Sequence, residues 1–185
     1  MSDPIEVIEL DAQALDDAVN DFAEVLRACV HDGASVGFIL PFDMVAAREF
    51  WITNVRPAVE AGNRILMAVK QGGDVVGTVQ LDMETFPNQM HRAGVSKLLV
   101  HPKARRLGIA SKLMQALESN ALENQRHLLT LDTITGEAAQ SLYLQMGYQI
   151  AGEIPDFARA ALSDRLEPTC YMYKLLGSFS ETVRP

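Results

Sequence analysis

A basic loop between two apolar segments is the part of the sequence best suited to chemistry. The apolar run 95–100 predicts a buried strand, and Pro102 ends it because proline offers no N–H to a neighbouring strand. After the basic loop 103–108, a helix is predicted whose apolar residues form one stripe: Ala110, Leu113, Met114, Leu117 and Ala121. The first turn of a helix has free N–H groups and a dipole that favours negative charge, so this pattern predicts an anion-binding site.

The distribution of charge indicates what kind of anion would bind. The chain has 16 Lys and Arg against 24 Asp and Glu, a formal net charge of −8. No acidic residue occurs between Thr85 and Leu117, whereas this stretch contains Arg92, Lys97, Lys103, Arg105, Arg106 and Lys112. An acidic protein lacks the broad positive surface that nucleic acids need, so a nucleotide or pyrophosphate is favoured and no nucleic-acid partner is expected.

Two motifs resemble those of the GNAT superfamily of acyl-CoA N-acyltransferases. Arg105-x-x-Gly108-x-Ala110 fits the first signature, [Q/R]-x-x-G-x-[G/A]. Ala139-x-x-Leu142-Tyr143-x-x-x-Gly147-Tyr148 is similar to the second, A-x-x-[FL]-Y-x-x-x-G-[FY]. The segments 33–38, 131–133 and 152–155 further resemble the bacterial tabtoxin-resistance acetyltransferases of that superfamily, and the likeness covers nearly the whole chain after the first strand.

The resemblance implies an enzyme that transfers the acetyl group of acetyl-CoA to a small acceptor. The implied acceptor is amino-acid-like or a β-lactam, as in antibiotic or toxin resistance, and the amine would attack directly in a ternary complex. Two alternatives stay open. The acceptor could be another amine or a peptide N-terminus, or the chain could be a CoA-binding regulatory domain without turnover.

The same resemblance implies which residues contact the ligands. The backbone of Leu98, Leu99 and Val100 would bind the pantetheine arm and offer an N–H to the oxyanion. The pyrophosphate would lie on the turn made by Arg105, Arg106, Leu107, Gly108, Ile109, Ala110 and Ser111. Ser141 either contacts the cofactor or faces solvent. The glycine-rich loop 32–38 either connects two helices or lets a ligand approach its backbone, with Ser35, Gly37 and Phe38 as substrate-binding residues.

Tyr143 and Asp132 are the catalytic residues that the resemblance implies. Tyr143 would donate a proton to the leaving thiolate, or else it is a buried ring whose hydroxyl is satisfied locally. Asp132, predicted at the end of a strand, would accept a proton through water, hold the substrate, or cap the following helix. The tabtoxin-resistance acetyltransferases have a glutamate where this chain has Gly94, which leaves the general base open.

The elements that must position these residues predict an α/β (α+β) GNAT fold, with a central mixed, mostly antiparallel sheet flanked by helices. Hydrophobic periodicity predicts the order β-α-α-β-β-β-α-β-α-β-β. The strands are predicted at 5–10, 64–70, 75–83, 90–100, 125–132, 148–151 and 169–175. The helices are predicted after Asp11, over 43–61 with a possible kink at Pro57, after Gly108, and over 136–146. Trp51 is either a packing residue or a substrate wall.

Length and composition complete the expectations. With 185 residues, one domain over 1–185 is expected, with 155–168 a loop and 177–185 a frayed tail. The acidic N-terminus lacks a signal-peptide core and no apolar run is long enough to span a membrane, so a cytoplasmic protein without a membrane partner is predicted. Cys29, Cys170 and the four histidines have no metal-ligand spacing, so no metal is expected. The oligomeric state is not inferred.

Overall fold

A seven-stranded sheet forms the centre of the computed structural model, which describes residues 5–177. Its strands are β1 (Val7–Leu10), β2 (Arg64–Gln71), β3 (Asp74–Asp82), β4 (Arg92–Val100), β5 (Leu128–Ile134), β6 (Gln149–Arg159) and β7 (Leu166–Leu175). They lie in the order β1-β2-β3-β4-β5-β7-β6. Every neighbouring pair is antiparallel except β4 and β5, which are parallel. The predicted mixed, mostly antiparallel sheet is confirmed.

Helices cover both faces of the sheet. They are α1 (Ala12–Asp17), α2 (Val19–His31), α3 (Met44–Phe50), α4 (Arg56–Glu60), α5 (Ile109–Glu123) and α6 (Ala138–Gln145). The helix start predicted at Asp11 is confirmed, because the Asp11 carboxylate accepts the N–H of Ala14 at 2.8 Å. The segment that follows is two helices, α1 and α2, which meet at Ala18.

Two apolar cores lie on opposite sides of the sheet, and the alternation of strand side chains separates them. In β2, Leu66 and Ala68 face the core under α1–α4, whereas Met67 and Val69 face the core under α5 and α6. The same rule places Leu131 of β5 on the α5 side and its neighbour Asp132 on the opposite side. The sheet therefore presents different residues of one strand to two separate layers.

The helix predicted over 43–61 is divided into three parts. A π-helical turn, Trp51–Val55, separates α3 from α4, and such turns bend helices. Pro57 lies in the first turn of α4, where its missing N–H removes no helical hydrogen bond, so the irregularity precedes the proline. Trp51 is fully buried and its ring lies 4.8 Å from that of Phe22, which confirms the interpretation of Trp51 as a packing residue.

The prediction for residues 148–168 is wrong. A short strand and a loop were expected, but β6 extends to Arg159 and β7 begins at Leu166. Pro155 weakened the strand pattern, since proline is excluded from the interior of a sheet. Here β6 is an edge strand, and its irregular register between Ile154 and Ala158 accommodates both Pro155 and the positive φ (52°) of Asp156.

Two smaller differences concern chain ends and boundaries. The strand predicted at 125–132 begins at Leu128 and continues past Asp132 to Ile134, so Asp132 is not at its end. The expected frayed tail, 177–185, lies outside the described residues except for Gly177.

Candidate active site

The strands β4 and β5 diverge in the middle of the sheet. Residues 92–94 of β4 pair with residues 128–130 of β5. Beyond these residues β4 continues to Val100 and β5 to Ile134 without pairing with each other. The gap between them opens into a cavity of about 1000 Å³ that is lined by residues of both strands, α5 and α6. Groups from both faces of the sheet can therefore meet in this gap.

The turn between β4 and α5 directs backbone donors toward the cavity. Arg106 and Gly108 have positive φ angles of 66° and 79°, and α5 begins immediately afterwards at Ile109. No side chain caps the N-terminus of α5, and the first N–H groups of any helix lack an intrahelical acceptor. Gly108, Ile109, Ala110 and Ser111 all line the cavity, so the turn is arranged to bind an anion.

Arg105 holds this turn in place. Its Nε donates to the carbonyl oxygen of Val100 at 3.2 Å, and its Nη1 lies 2.5 Å from the Asp32 carboxylate at the end of α2. The Arg105 side chain of the motif is thus held by groups within the protein. The donors left open to the cavity are the backbone N–H groups that follow it.

A close contact with β3 sets the position of the start of α5. A Cβ built on Gly77 would lie 2.8 Å from Cγ2 of Ile109 and 3.3 Å from Cδ1 of Leu113. Only glycine at this position lets the first turn of α5 approach the sheet so closely.

Tyr143, on α6, is buried and lines the same cavity. Its ring lies 5.6 Å from the ring of Tyr148, and its hydroxyl has no hydrogen-bond partner among the described residues. Burial, and then the charge of Asp132, raise the pKa of Tyr143 well above its ordinary value of 10.0. The Tyr143 hydroxyl is therefore protonated at neutral pH. The alternative, a hydroxyl already held by a local hydrogen bond, does not apply among the described residues.

Asp132 reaches the cavity from the opposite face of the sheet. The Thr169 hydroxyl lies 3.5 Å from its Oδ2 and donates more closely, at 3.1 Å, to the carbonyl oxygen of Thr133. The helix-capping alternative for Asp132 is wrong, because α6 begins at Ala138 and the side chain of Gln140 accepts the N–H of Gly136 at 2.6 Å. Asp132 is exposed, so its carboxylate is available to a ligand.

Gly94 contributes no carboxylate to the gap, and there is room beside it. A Cβ at Gly94 would meet only the Cβ of Asp82, its partner on β3, at 3.8 Å. Asp82 itself is paired with Arg64 at 2.6 Å. The carboxylate nearest to Gly94 is therefore already held by a guanidinium.

Most of the site residues that are predicted from the sequence contribute to the wall of this cavity. They are Ser35, Gly37, Leu98, Leu99, Val100, Arg105, Arg106, Gly108, Ile109, Ala110, Ser111, Asp132 and Tyr143. Leu107, Phe38 and Ser141 are not among its lining residues. The Phe38 ring packs 4.5 Å from Phe42 and 5.2 Å from Phe50, whereas Ser141 is exposed on α6.

Lys97 and Glu167 are charged residues of the cavity that the sequence motifs do not assign to the site, and Glu137 and Arg165 are two others. Lys97 lies in β4 and counts, from the sequence, only as one of the six basic residues between Thr85 and Leu117. A lysine within an otherwise apolar strand is the signal that could have identified it as a site residue. Glu167 is 8% exposed, and one of its carboxylate oxygens accepts from Arg165 at 2.6 Å. Its position on β7 had been predicted as loop, which is why it was missed.

Among residues 5–177, no group of three or more His, Cys, Asp or Glu side chains is arranged to hold a metal ion. Within the same residues, no helix is long and apolar enough to cross a membrane. Cys29 and Cys170 are buried and are not joined in a disulfide.

Comparison with protein families gives a match that includes both sequence motifs. A model described as the acetyltransferase (GNAT) family matches residues 34–148. The matched region contains the loop lining the cavity, the turn before α5, and α6 with Tyr143.

Solved structures share the fold at low sequence identity. The ribosomal-protein-alanine N-acetyltransferase from Brucella melitensis is 20% identical, with a TM-score of 0.73, covering 92% of this chain and 99% of its own. The putative acetyltransferase yncA from Salmonella typhimurium, determined with acetyl-CoA, is 16% identical, with a TM-score of 0.75 and 96% of both chains covered. A putative phosphinothricin N-acetyltransferase is 13% identical, with a TM-score of 0.76, covering 95% of this chain and 100% of its own.

Proposed function

Because this chain belongs to the acetyltransferase (GNAT) family and is thus an acetyl-CoA-dependent N-acetyltransferase, we propose that it acetylates a small amino-acid-like or β-lactam acceptor in the gap between β4 and β5. The observation that carries this proposal is the divergence of the two strands after Gly94 and Thr130. The divergence brings Tyr143 and Asp132, which come from opposite faces of the sheet, to one cavity. A proton donor and a carboxylate therefore line the same opening.

The residues present fit acetyl-CoA as the donor. The turn with positive φ at Arg106 and Gly108, and the uncapped start of α5, supply N–H groups for the pyrophosphate. The edge of β4 is unpaired on the β5 side beyond Gly94, so the backbone at Leu98 and Leu99 is available to an extended arm, whereas the Val100 carbonyl oxygen accepts from Arg105. When bound, acetyl-CoA supplies an activated acetyl thioester.

Tyr143 is proposed as the proton donor. Tyr143 lines the cavity, its hydroxyl has no partner among the described residues, and a tyrosine whose pKa is raised by burial from 10.0 carries its proton at neutral pH. General-acid help of this kind contributes roughly 10²–10⁴ in rate. The high pKa also means that Tyr143 cannot serve as a base at neutral pH.

Asp132 is proposed to hold the acceptor amine and to take up its proton. The carboxylate is exposed in the cavity and lies on the face covered by α1–α4, where Ser35 and Gly37 also line the wall. Among the other acids that line the cavity, Asp32 and Glu167 are paired with Arg105 and Arg165, and Asp132 is proposed over Glu137 because its charge acts on both Tyr143 and Lys97.

The size of the cavity supports a small acceptor. The cavity of about 1000 Å³ lies at the upper end of the roughly 300–1000 Å³ that small-molecule pockets span. Names of similar structures point to two acceptor types, a protein alanine and phosphinothricin. We propose the smaller type for this chain.

A thiol-release assay with acetyl-CoA tests the proposal. The panel would contain amino acids, amino-β-lactams, polyamines, aminoglycosides and short peptides, and mass spectrometry would identify each acetylated product. We expect one or more amino acids or amino-β-lactams to be acetylated. Acetylation confined to peptide N-termini or polyamines would overturn the proposed acceptor, and no release with any acceptor would overturn the proposed activity.

A further inference from the structure

We propose that the ammonium group of Lys97 binds a carboxylate of the acceptor, so that this enzyme selects acceptors carrying an acid group close to the amine. The proposal rests on the proposed function and names a feature of the acceptor that the cavity selects. It concerns a residue to which neither sequence motif assigns a role.

The backbone at Lys97 is irregular in a way that redirects its side chain. Thr78 pairs with Leu99 and Gln80 with Ser96, so Lys97 and Leu98 together oppose the single residue Val79. This is a β-bulge, and Lys97 has a φ of 50°. A positive φ is uncommon at a residue other than glycine, so the bulge holds Lys97 in a backbone conformation that an ordinary strand residue does not adopt.

The ammonium of Lys97 lies above an aromatic ring and opens into the cavity. Its Nζ is 5.4 Å from the centroid of the Phe50 ring, on the side of the sheet covered by α3. Among the described residues it forms no ion pair and no hydrogen bond, so its three N–H donors lack an acceptor. A ligand that enters the cavity can supply one.

The charged groups around Lys97 explain why an anion is favoured. Arg64, on β2, faces Lys97, but its charge is paired with Asp82 at 2.6 Å. The carboxylate whose negative charge acts on Lys97 is that of Asp132 on β5. Burial, and then the charge of Arg64, lower the pKa of Lys97, whereas the charge of Asp132 raises it. A partly desolvated cation without a partner gains most from a bound anion.

The contact with Phe50 favours a binding role over a basic one. The face of an aromatic ring attracts the ammonium form and has no comparable attraction for a neutral amine. Lys97 and Asp132 then offer opposite charges on the same side of the sheet, and the zwitterion of an α-amino acid matches this pair. The acceptor class is therefore α-amino acids and β-lactams with a free carboxylate.

Equilibrium binding tests the role of Lys97 without turnover. Calorimetry on the protein saturated with CoA would compare N-acetyl-L-amino acids (alanine, methionine, leucine and phenylalanine) with the matching N-acetyl amides. These probes differ in the carboxylate and have no titrating amine. We expect the wild type to prefer acids by tenfold or more, about the size of one hydrogen bond to a charged group.

Variants assign the preference to the ammonium. Lys97→Met should reduce the acid-to-amide preference to about one, whereas Lys97→Arg, which keeps the charge, should retain a preference. Lys70→Met is the matched control, since Lys70 is exposed on β2 outside the cavity, and it should bind as the wild type does. Thermal unfolding would show that each variant is folded, and Lys97→Gln, which also removes the charge, would take the place of Lys97→Met if that variant does not fold.

The outcomes separate this inference from the proposed function. Equal binding of acids and amides by the wild type, no binding of any acid, or an unchanged preference in Lys97→Met would overturn the inference. Acetylation of amides as readily as of acids would leave the proposed function standing without the Lys97 contact. Acid-selective binding that depends on Lys97, with no thiol release from any acceptor, would support the contact and overturn the proposed function.

Discussion

The guanidinium of Arg105 lies 2.5 Å from the carboxylate of Asp32 and joins the turn before α5 to the end of α2. The same guanidinium donates to the last carbonyl oxygen of β4, at Val100. These two contacts tie the proposed pyrophosphate turn to the helical layer on the other side of the sheet. Arg105 is therefore a positioning residue for the backbone donors that follow it.

Replacing Arg105 should weaken binding of acetyl-CoA. We expect Arg105→Met to raise the Kd for acetyl-CoA about tenfold, or about 1.4 kcal/mol, because the turn loses both of its contacts. Calorimetry measures this directly. The control is Arg48→Met, whose guanidinium bonds Asn20 at 3.0 Å away from the cavity. An unchanged Kd in Arg105→Met would show that the turn keeps its shape without this side chain.

The contact between Gly77 and Ile109 gives a second prediction. Gly77→Ala would bring a methyl group to 2.8 Å from Ile109 Cγ2, so the start of α5 must move away from the sheet. We expect weaker binding of acetyl-CoA and a loss of stability of about 1–3 kcal/mol, typical of overpacking. Gly152→Ala is the matched control, since a Cβ there meets nothing within 4 Å. Wild-type affinity in Gly77→Ala would contradict the account of how α5 is positioned.

Asp132 should control the ionisation of two other residues in the gap. Its charge raises the pKa of both Tyr143 and Lys97, so Asp132→Asn should lower both. NMR titration of labelled tyrosine and lysine would detect the two shifts. The variant should also lose kcat/KM for the acceptor while the Kd for acetyl-CoA stays unchanged, and Asp74→Asn at the exposed start of β3 is the control. Unchanged pKa values would place Asp132 too far from the gap for its proposed role.

The buried tyrosines predict a loss of stability at alkaline pH. Burial raises the pKa of Tyr143 and Tyr148 above the ordinary value of 10.0, and Glu118 adds to the effect at Tyr148. Above pH 10 the unfolded chain loses protons that the folded protein keeps, so stability is fully present below that pH and falls as the pH rises further. Each tyrosine contributes up to about 1.4 kcal/mol per pH unit. Denaturant unfolding from neutral pH to pH 11 should show a smaller loss for Tyr148→Phe than for the wild type.

The parts of the site that lie within one continuous segment of the chain could be predicted from the sequence. The turn before α5 is a strand end, a basic loop and a helix start in succession, so local rules are sufficient to locate it. Tyr143 follows in the same way from the spacing of its motif.

The parts that depend on pairing between distant segments could not be predicted. Lys97 reads as an ordinary strand residue until the register of β3 against β4 reveals the bulge. Glu167 lies on β7 because β6 and β7 pair with each other, and Pro155 obscured that pairing. The capping alternative for Asp132 could be removed only once the ends of β5 and α6 were known. A strand register is a tertiary property, and single-strand patterns do not determine it.

The most direct test of the proposed mechanism is the turnover of Tyr143→Phe. With acetyl-CoA saturating and an acceptor from the panel, we expect kcat to fall by roughly 10²–10⁴, since the variant removes only the hydroxyl group that would donate the proton. The Kd for acetyl-CoA should stay unchanged, and Tyr171→Phe, whose ring is exposed outside the cavity, is the control. A Tyr143→Phe enzyme that retains the wild-type kcat would contradict the assignment of Tyr143 as proton donor.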